Sequence, residues 1–307
     1  MIVYRELTSL VSDLGFSAKT LYSVSNAISD HYREVNIPKD NGEYRQLSVP
    51  DQLLKSIQSK INRVLLPLEP ISPYATAYRL GGSTKNNASP HVGKAVILKL
   101  DIRHFFDRLI YSVVKEKAFP AERYSEQNRI LLAILCTKDD GLPQGAPTSP
   151  MISNIIMRDF DYTVGQWCEE HGIAYTRYCD DMTFSGDFSV EPVICFVEME
   201  LRKLGLFLNE KKTKIVYSGQ RQCVTGIVVN EKESVPNEYK RIIRQEMYYC
   251  RKYGAESHLR RQSLSCSVEG YMQKLLGRIN YVLSIEPQNL EMKEYQLQLK
   301  AALKSHH

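Results

Sequence analysis

The chain has no apolar run near the roughly 20 residues a membrane-spanning helix requires. Its opening MIVYRELTSL has neither the basic start nor the apolar stretch of a secretory signal. A soluble, cytoplasmic protein with no membrane partner is expected. There is no C-x-x-C pair either. The seven cysteines, Cys136, Cys168, Cys179, Cys195, Cys223, Cys250 and Cys266, are odd in number and scattered. That argues against a disulfide framework or a zinc site and for reduced thiols used as small buried hydrophobes. No low-complexity segment, internal repeat or long charge block interrupts the sequence, so any subdomains must be contiguous and tightly joined. The terminal His306 and His307 are native tail or tag remnant and carry no argument.

What is present is a chain of 307 residues, 43% hydrophobic, long enough for two or three packed subdomains around a full core. Its net charge of +5 conceals a division. Residues 1–200 hold 21 Lys and Arg against 25 Asp and Glu, a net −4, whereas residues 201–307 hold 19 against 10, a net +9. A basic C-terminal end suits a polyanionic partner, although a charge excess is also what a solvated face looks like.

Asp51 to Leu66 reads as a helix. Ala95-Val-Ile-Leu-Lys-Leu-Asp101 reads as a largely buried strand ending on a carboxylate, because its apolar residues are aliphatic and nearly continuous. Gly141-Leu-Pro-Gln-Gly-Ala-Pro-Thr-Ser-Pro150 is loop by composition, with Ser149 and Pro150 as N-cap and first residue of a helix through Ile155, Ile156 and Phe160. Ile173 to Ser185 gives two strand-like arms around Asp180 and Asp181, a β-hairpin with the carboxylates at its bend. Val190, Ile194, Val197, Leu201 and Leu204 recur at helical spacing, and Gly205 follows as a stop. A second pair of short strands is expected between Thr213 and Val229, with helices beyond. The order strand, helix, hairpin, helix is compatible with a ferredoxin-like βαββ palm.

Nucleotidyl transfer uses two divalent ions about 3.5–4 Å apart, and magnesium at such a site is held by a few carboxylates together with substrate phosphates. A strand-end Asp101 facing a hairpin-borne Asp180 meets that demand. An Asp-Asp pair alone says little, since Asp139-Asp140 is an ordinary surface pair. The setting between apolar strands after Tyr178 is what distinguishes Asp180-Asp181 from a solvated turn.

Tyr175-Thr-Arg-Tyr-Cys-Asp-Asp-Met-Thr-Phe-Ser185 resembles the Y-x-D-D box of reverse transcriptases. Three further blocks agree in order: Leu98 to Phe106 resembles the first metal-binding block, Leu142 to Pro150 the loop near template and incoming nucleotide, and Leu208 to Thr213 the block after the helix. Asn87-Ala-Ser-Pro-His91 and Val224-Thr-Gly226 resemble the N-A-x-x-H and V-T-G signatures of the bacterial retron branch. The resemblance extends from about Arg45 to Pro287, and Cys179 stands where many relatives carry Ala.

The resemblance implies an α+β right-hand polymerase: residues 1–93 as N-terminal region and fingers, 94–232 as palm with remaining fingers elements and the catalytic hairpin, and 233–307 as a basic, mainly helical thumb. It implies Asp101 and Asp180 as shared ligands of two Mg2+ ions, with Mn2+ as a substitute, and Asp181 assisting. Lys212 becomes a cation that protonates or neutralises the departing pyrophosphate, and Arg45 a fork for the triphosphate. Phe106 becomes the steric gate against a 2′-hydroxyl, where core packing is the alternative. Gln144 and Gly145 approach the base pair, with Gly145 lacking an obstructing Cβ, unless this loop is a plain turn. Ile102, beside Asp101, joins the nucleotide site. Asn87, His91, Val224, Thr225 and Gly226 are RNA-contacting or structural, a satisfied buried histidine being the plainer reading of His91. Lys240, Arg241, Arg244 and Arg251, interleaved with Tyr248, Tyr249 and Tyr253, would meet phosphates and stack bases, a helix with aromatic core residues and solvated charges being the alternative at some of these positions.

The implied activity is RNA-directed DNA synthesis from deoxynucleoside triphosphates, with a cognate noncoding RNA as template and primer. Branched RNA-linked DNA made from a guanosine 2′-hydroxyl, and anti-phage defence beside a separate effector protein, complete that implication. Two alternatives stay open: a reverse transcriptase of an abortive-infection or diversity-generating type, and an RNA-binding or effector-sequestering protein on a polymerase fold.

Overall fold

The computed structural model describes residues 3–38, 42, 44–261 and 267–305; Cys266, His306 and His307 lie outside the described residues. The strands are β1 (Tyr32–Pro38), β2 (Tyr44–Pro50), β3 (Val96–Asp101), β4 (Ala174–Tyr178), β5 (Asp181–Gly186), β6 (Lys214–Tyr217), β7 (Cys223–Val224) and β8 (Ile227–Val228). The central sheet has the order β4-β5-β3-β6. In sequence it reads strand, helices, hairpin, helix, strand, so β3 lies between β5 and β6 as a ferredoxin-like βαββαβ arrangement requires.

The apolar run before Asp101 suits β3 to an interior place in the sheet, beside β5. Ile97 and Leu98 are fully buried and Leu100 nearly so, and antiparallel pairing with β5 sets Val96 opposite Gly186 and Asp101 opposite Asp181. The β4–β5 hairpin pairs Tyr178 with Asp181. Helices Arg158–Glu170 and Val190–Arg202 contribute Phe160, Val164, Cys168, Val193, Val197 and Leu201 to the same core. Gly205 follows in the left-handed region, φ 69°, where a residue without Cβ avoids the steric penalty.

The helix expected through Phe160 is two helices, Ser149–Ile156 and Arg158–Glu170, meeting at Met157. Its N-cap is Thr148 rather than Ser149. Ser149 is drawn instead to the preceding loop, its hydroxyl donating to the Pro143 carbonyl at 2.8 Å. Between Thr213 and Val229 there are three short strands, β6 in the central sheet and the β7–β8 pair.

The chain divides into two compact units. One comprises residues up to Ser83 together with Val96–Ile215, and the other Thr84–Ala95 together with residues from Val216 onward. The first holds β3, β4 and β5 of the sheet with the start of β6, the β1–β2 hairpin and helices such as Gln52–Val64, capped by the Asp51 carboxylate on the Leu54 N–H at 2.8 Å. The second holds β7, β8 and helices Asn237–Tyr253, Ala255–Arg261, Val268–Ile285 and Leu290–Ser305. No described helix is long and apolar enough to cross a membrane.

Close packing in the first unit is tight where Gly165 meets Tyr74. A Cβ there would lie 2.2 Å from the Tyr74 ring, and that ring is held by its hydroxyl on Glu169. Gly165→Ala should therefore destabilise the protein by about 1–3 kcal/mol, the usual scale of overpacking. The effect should appear as a lower urea midpoint; an unchanged midpoint would mean that the ring moves freely.

Candidate active site

Asp101 is the last residue of β3 and only 5% exposed. Its backbone carbonyl accepts from Asn209 N at 2.8 Å, and Ile102 N donates to the Asp180 carbonyl at 3.1 Å. The end of β3 is thus clamped to the hairpin on one side and to the segment leading to Lys212 on the other. The bend consists of Cys179 and Asp180, with Cys179 in the left-handed region, φ 64°. Asp181 begins β5 directly opposite Asp101. Sheet register and bend thus bring Asp101, Asp180 and Asp181 to one end of the sheet.

Lys212, in the short turn Glu210–Lys212, donates its Nζ to Asp101 Oδ2 at 2.7 Å. Asn209 Nδ2 donates to the other oxygen at 3.3 Å. Asn209 lies in a recognised block but was given no role from sequence. Partial burial works against the Lys212 charge, and the carboxylates of Asp101, Asp180 and Asp181 outweigh it, so its pKa is raised. Burial, and after it the neighbouring Asp180 and Asp101 carboxylates, push Asp181 up to about 6. A divalent cation would relieve that crowding of negative charge. Among the described residues no three His, Cys, Asp or Glu side chains already converge as a metal cage. The all-oxygen donor set fits an open magnesium-type site completed by substrate phosphates.

Phe106 lies in the short helix Phe105–Arg108, half-buried and tilted against Phe105 with centroids 5.3 Å apart. Its carbonyl accepts from Leu142 N at 3.1 Å, which joins it to the start of the Leu142–Pro150 loop. Ile102 is buried. The Gln144 carbonyl accepts from Ser48 N on β2 at 2.9 Å. Gly145 has φ 126°, and a Cβ there would stand 2.8 Å from the Ser48 carbonyl. The absence of a side chain is therefore required by β2 itself, a reason that differs from the expected approach to a base pair. Arg45 sits exposed on β2, opposite Ile37 of β1.

In the second unit the two short signatures come together. Asn87 and His91 are buried, as is Val224. Asn87 Nδ2 donates to Thr225 Oγ1 at 3.4 Å, and Thr225 donates to the Thr84 carbonyl at 3.0 Å. Thr225 and Gly226 both have positive φ, 44° and 83°, forming the turn between β7 and β8. Among the basic residues, Lys240 is held by Glu286 at 2.8 Å and Arg244 by Glu291 at 2.8 Å, while Arg251 reaches Glu294 at 3.0 Å and Gln298 at 2.6 Å. These three fasten helix Asn237–Tyr253 to later parts of the chain, which favours the structural side of their reading as RNA-binding or structural residues. Arg241 is exposed.

A βαββαβ sheet with carboxylates at a strand end and at the adjoining hairpin bend defines the class: a template-directed nucleic-acid polymerase built on a palm. Comparison with known proteins narrows it. The family model described as reverse transcriptase (RNA-dependent DNA polymerase) matches residues 37–236. The retron Mx65 reverse transcriptase of Myxococcus xanthus is 30% identical, covering 94% of this chain and 70% of that protein. The retron Ec86 reverse transcriptase of Escherichia coli is 30% identical, covering 92% and 86% respectively. Among solved structures, telomerase from Candida albicans in complex with a telomeric RNA fragment aligns with TM-score 0.49 and 13% identity, over 89% of this chain and 61% of the telomerase chain. The chain belongs to the reverse transcriptase family, as a bacterial retron reverse transcriptase, and is an RNA-directed DNA polymerase.

The raised Asp181 pKa has a consequence for stability. Between the ordinary 3.8 and about 6 the folded protein holds a proton at Asp181 that the unfolded chain has released, so metal-free stability falls as pH rises through that window. Asp181→Asn should flatten that part of the profile. Magnesium should raise the thermal midpoint above pH 6 more in the wild type than in the variant, read by scanning fluorimetry.

Proposed function

We propose that the chain copies a dedicated noncoding RNA, serving as both template and primer, into branched RNA-linked single-stranded DNA begun from a guanosine 2′-hydroxyl. The observation that carries the polymerase chemistry is the pairing of Asp101 with Asp181 across β3 and β5, with Asp180 at the adjoining bend; the dedicated RNA and branched product rest on kinship with retron reverse transcriptases. Asp101 and Asp180 would hold two Mg2+ ions, with Asp181 assisting. Bound divalent ions supply activation of the attacking hydroxyl and neutralisation of the triphosphate charge. Lys212 holds Asp101 in place and offers a proton to the departing pyrophosphate. Arg45 binds the triphosphate, Phe106 excludes ribonucleotides by bulk, and Ile102, Gln144 and Gly145 frame the incoming nucleotide.

In this reading residues 1–93 are the N-terminal region and fingers, 94–232 the palm with remaining fingers elements and the catalytic hairpin, and 233–307 the basic, mainly helical thumb. Asn87, His91 and Val224 to Gly226 are the retron signatures, and their meeting in the second unit supports a structural part in that reading. Retron kinship also supports a role in anti-phage defence, in company with a separate effector.

Nucleic acid extracted from protein expressed with its flanking locus, run on a denaturing gel before and after RNase and DNase, tests this. A discrete RNA-linked DNA should appear with the wild type and be absent with Asp180→Ala, Asp181→Ala. RNA without DNA in both would sink the reading and favour a binding role.

A further inference from the structure

Behind the catalytic bend the chain buries a charged pair that the polymerase blocks leave unexplained. Arg177 in β4 and Asp161 in helix Arg158–Glu170 are both 0% exposed. The guanidinium grips Asp161 with two parallel bonds, Nε to Oδ1 at 2.8 Å and Nη2 to Oδ2 at 2.6 Å. Its Nη1 donates to Asn154 Oδ1 at 3.2 Å and to the Cys179 carbonyl at 2.9 Å. Asp161 also accepts from the Tyr175 hydroxyl at 2.9 Å, and Asn154 Nδ2 donates to the Ala77 carbonyl at 2.8 Å. Backbone bonds from Arg177 N to the Tyr74 carbonyl at 2.8 Å and from Thr76 N to the Arg177 carbonyl at 2.9 Å fix the strand itself.

A buried ion pair is a weak source of stability, because well-packed apolar residues usually serve as well or better. This one spends a guanidinium bond on a single backbone carbonyl, that of Cys179. Cys179 is the residue forced to positive φ at the bend, a conformation that a side chain with Cβ disfavours. Its carbonyl belongs to the peptide plane whose nitrogen is that of Asp180.

We propose that Arg177 is a positioning residue for the polymerase reaction: by holding the Cys179 carbonyl it sets the plane of the peptide leading into Asp180, and with it the direction of that carboxylate. The inference rests on Asp180 being a metal ligand, as proposed above. Lysine would keep the charge opposite Asp161 but has no planar fork to serve Asp161, Asn154 and Cys179 together.

Wild type, Arg177→Lys and Asp180→Ala are compared as RNA-bound protein in single-nucleotide incorporation, with magnesium titration and a thermal melt of each. Arg177→Lys should melt cooperatively and keep its KM for the nucleotide. Its kcat should fall roughly 10- to 100-fold, the scale of a misplaced reacting group, and its half-saturating magnesium concentration should rise. A folded Arg177→Lys with wild-type kcat and magnesium requirement overturns the proposal, as does a loss of rate that only tracks the folded fraction. If Arg177→Lys does not fold, the double variant Arg177→Gln, Asp161→Asn decides: it removes both buried charges together and with them the guanidinium donor to the Cys179 carbonyl, so a cooperative melt with a raised magnesium requirement supports the proposal and wild-type kcat and magnesium requirement overturn it. Activity in Asp180→Ala would bring down the ligand assignment and this proposal together, whereas a dead Asp180→Ala beside a fully active Arg177→Lys brings down only the positioning role.

Discussion

The site depends on the register of β3 against β5. Side chains alternate faces along a strand, so a slip of one residue would carry Asp101 to the opposite face from Asp181 and expose residues that now form the core. Ile97 and Leu98 are fully buried and Leu100 nearly so, which means that both faces of β3 resist such a slip. The sheet thereby holds the carboxylates together; burial first, and then their mutual repulsion, raises the Asp181 pKa, and Lys212 offsets this only in part. Hydrophobic burial supplies the force that keeps like charges close.

Two backbone hydrogen bonds join the loops around that sheet. Leu142 N on the Phe106 carbonyl and Ser48 N on the Gln144 carbonyl connect the end of β3, the Leu142–Pro150 loop and β2. The close approach at Gly145 is part of the same seam. Arg45 and the loop therefore stand on one continuous hydrogen-bonded path.

Much of this was legible because it is local. The apolar run ending at Asp101, the turn chemistry around Asp180 and Asp181, and the helical stripe before Gly205 each state their structure within a few residues, and the fold follows from their order. What could not be read depends on partners distant in the chain. Arg177 looks like a polar position in a strand until Asp161, 16 residues earlier, is seen beside it. Arg244 and Arg251 look like free cations, because Glu291 and Gln298 lie 47 residues further on. Gly145 was recognised as necessary, but its neighbour, the Ser48 carbonyl, is set by tertiary packing. The split at Met157 lies in a continuous helical pattern, where composition gives no sign of a break.

The ion pairs that fasten helix Asn237–Tyr253 change what the basic end of the chain offers to a polyanion. A cation already paired with a neighbouring glutamate neutralises a phosphate less fully, so it releases fewer of the counterions condensed on nucleic acid. Lys240, Arg244 and Arg251 are spoken for by Glu286, Glu291 and Glu294. The electrostatic reach of this region toward any polyanion is thus mainly that of its remaining cations, shorter than the excess of Lys and Arg implies.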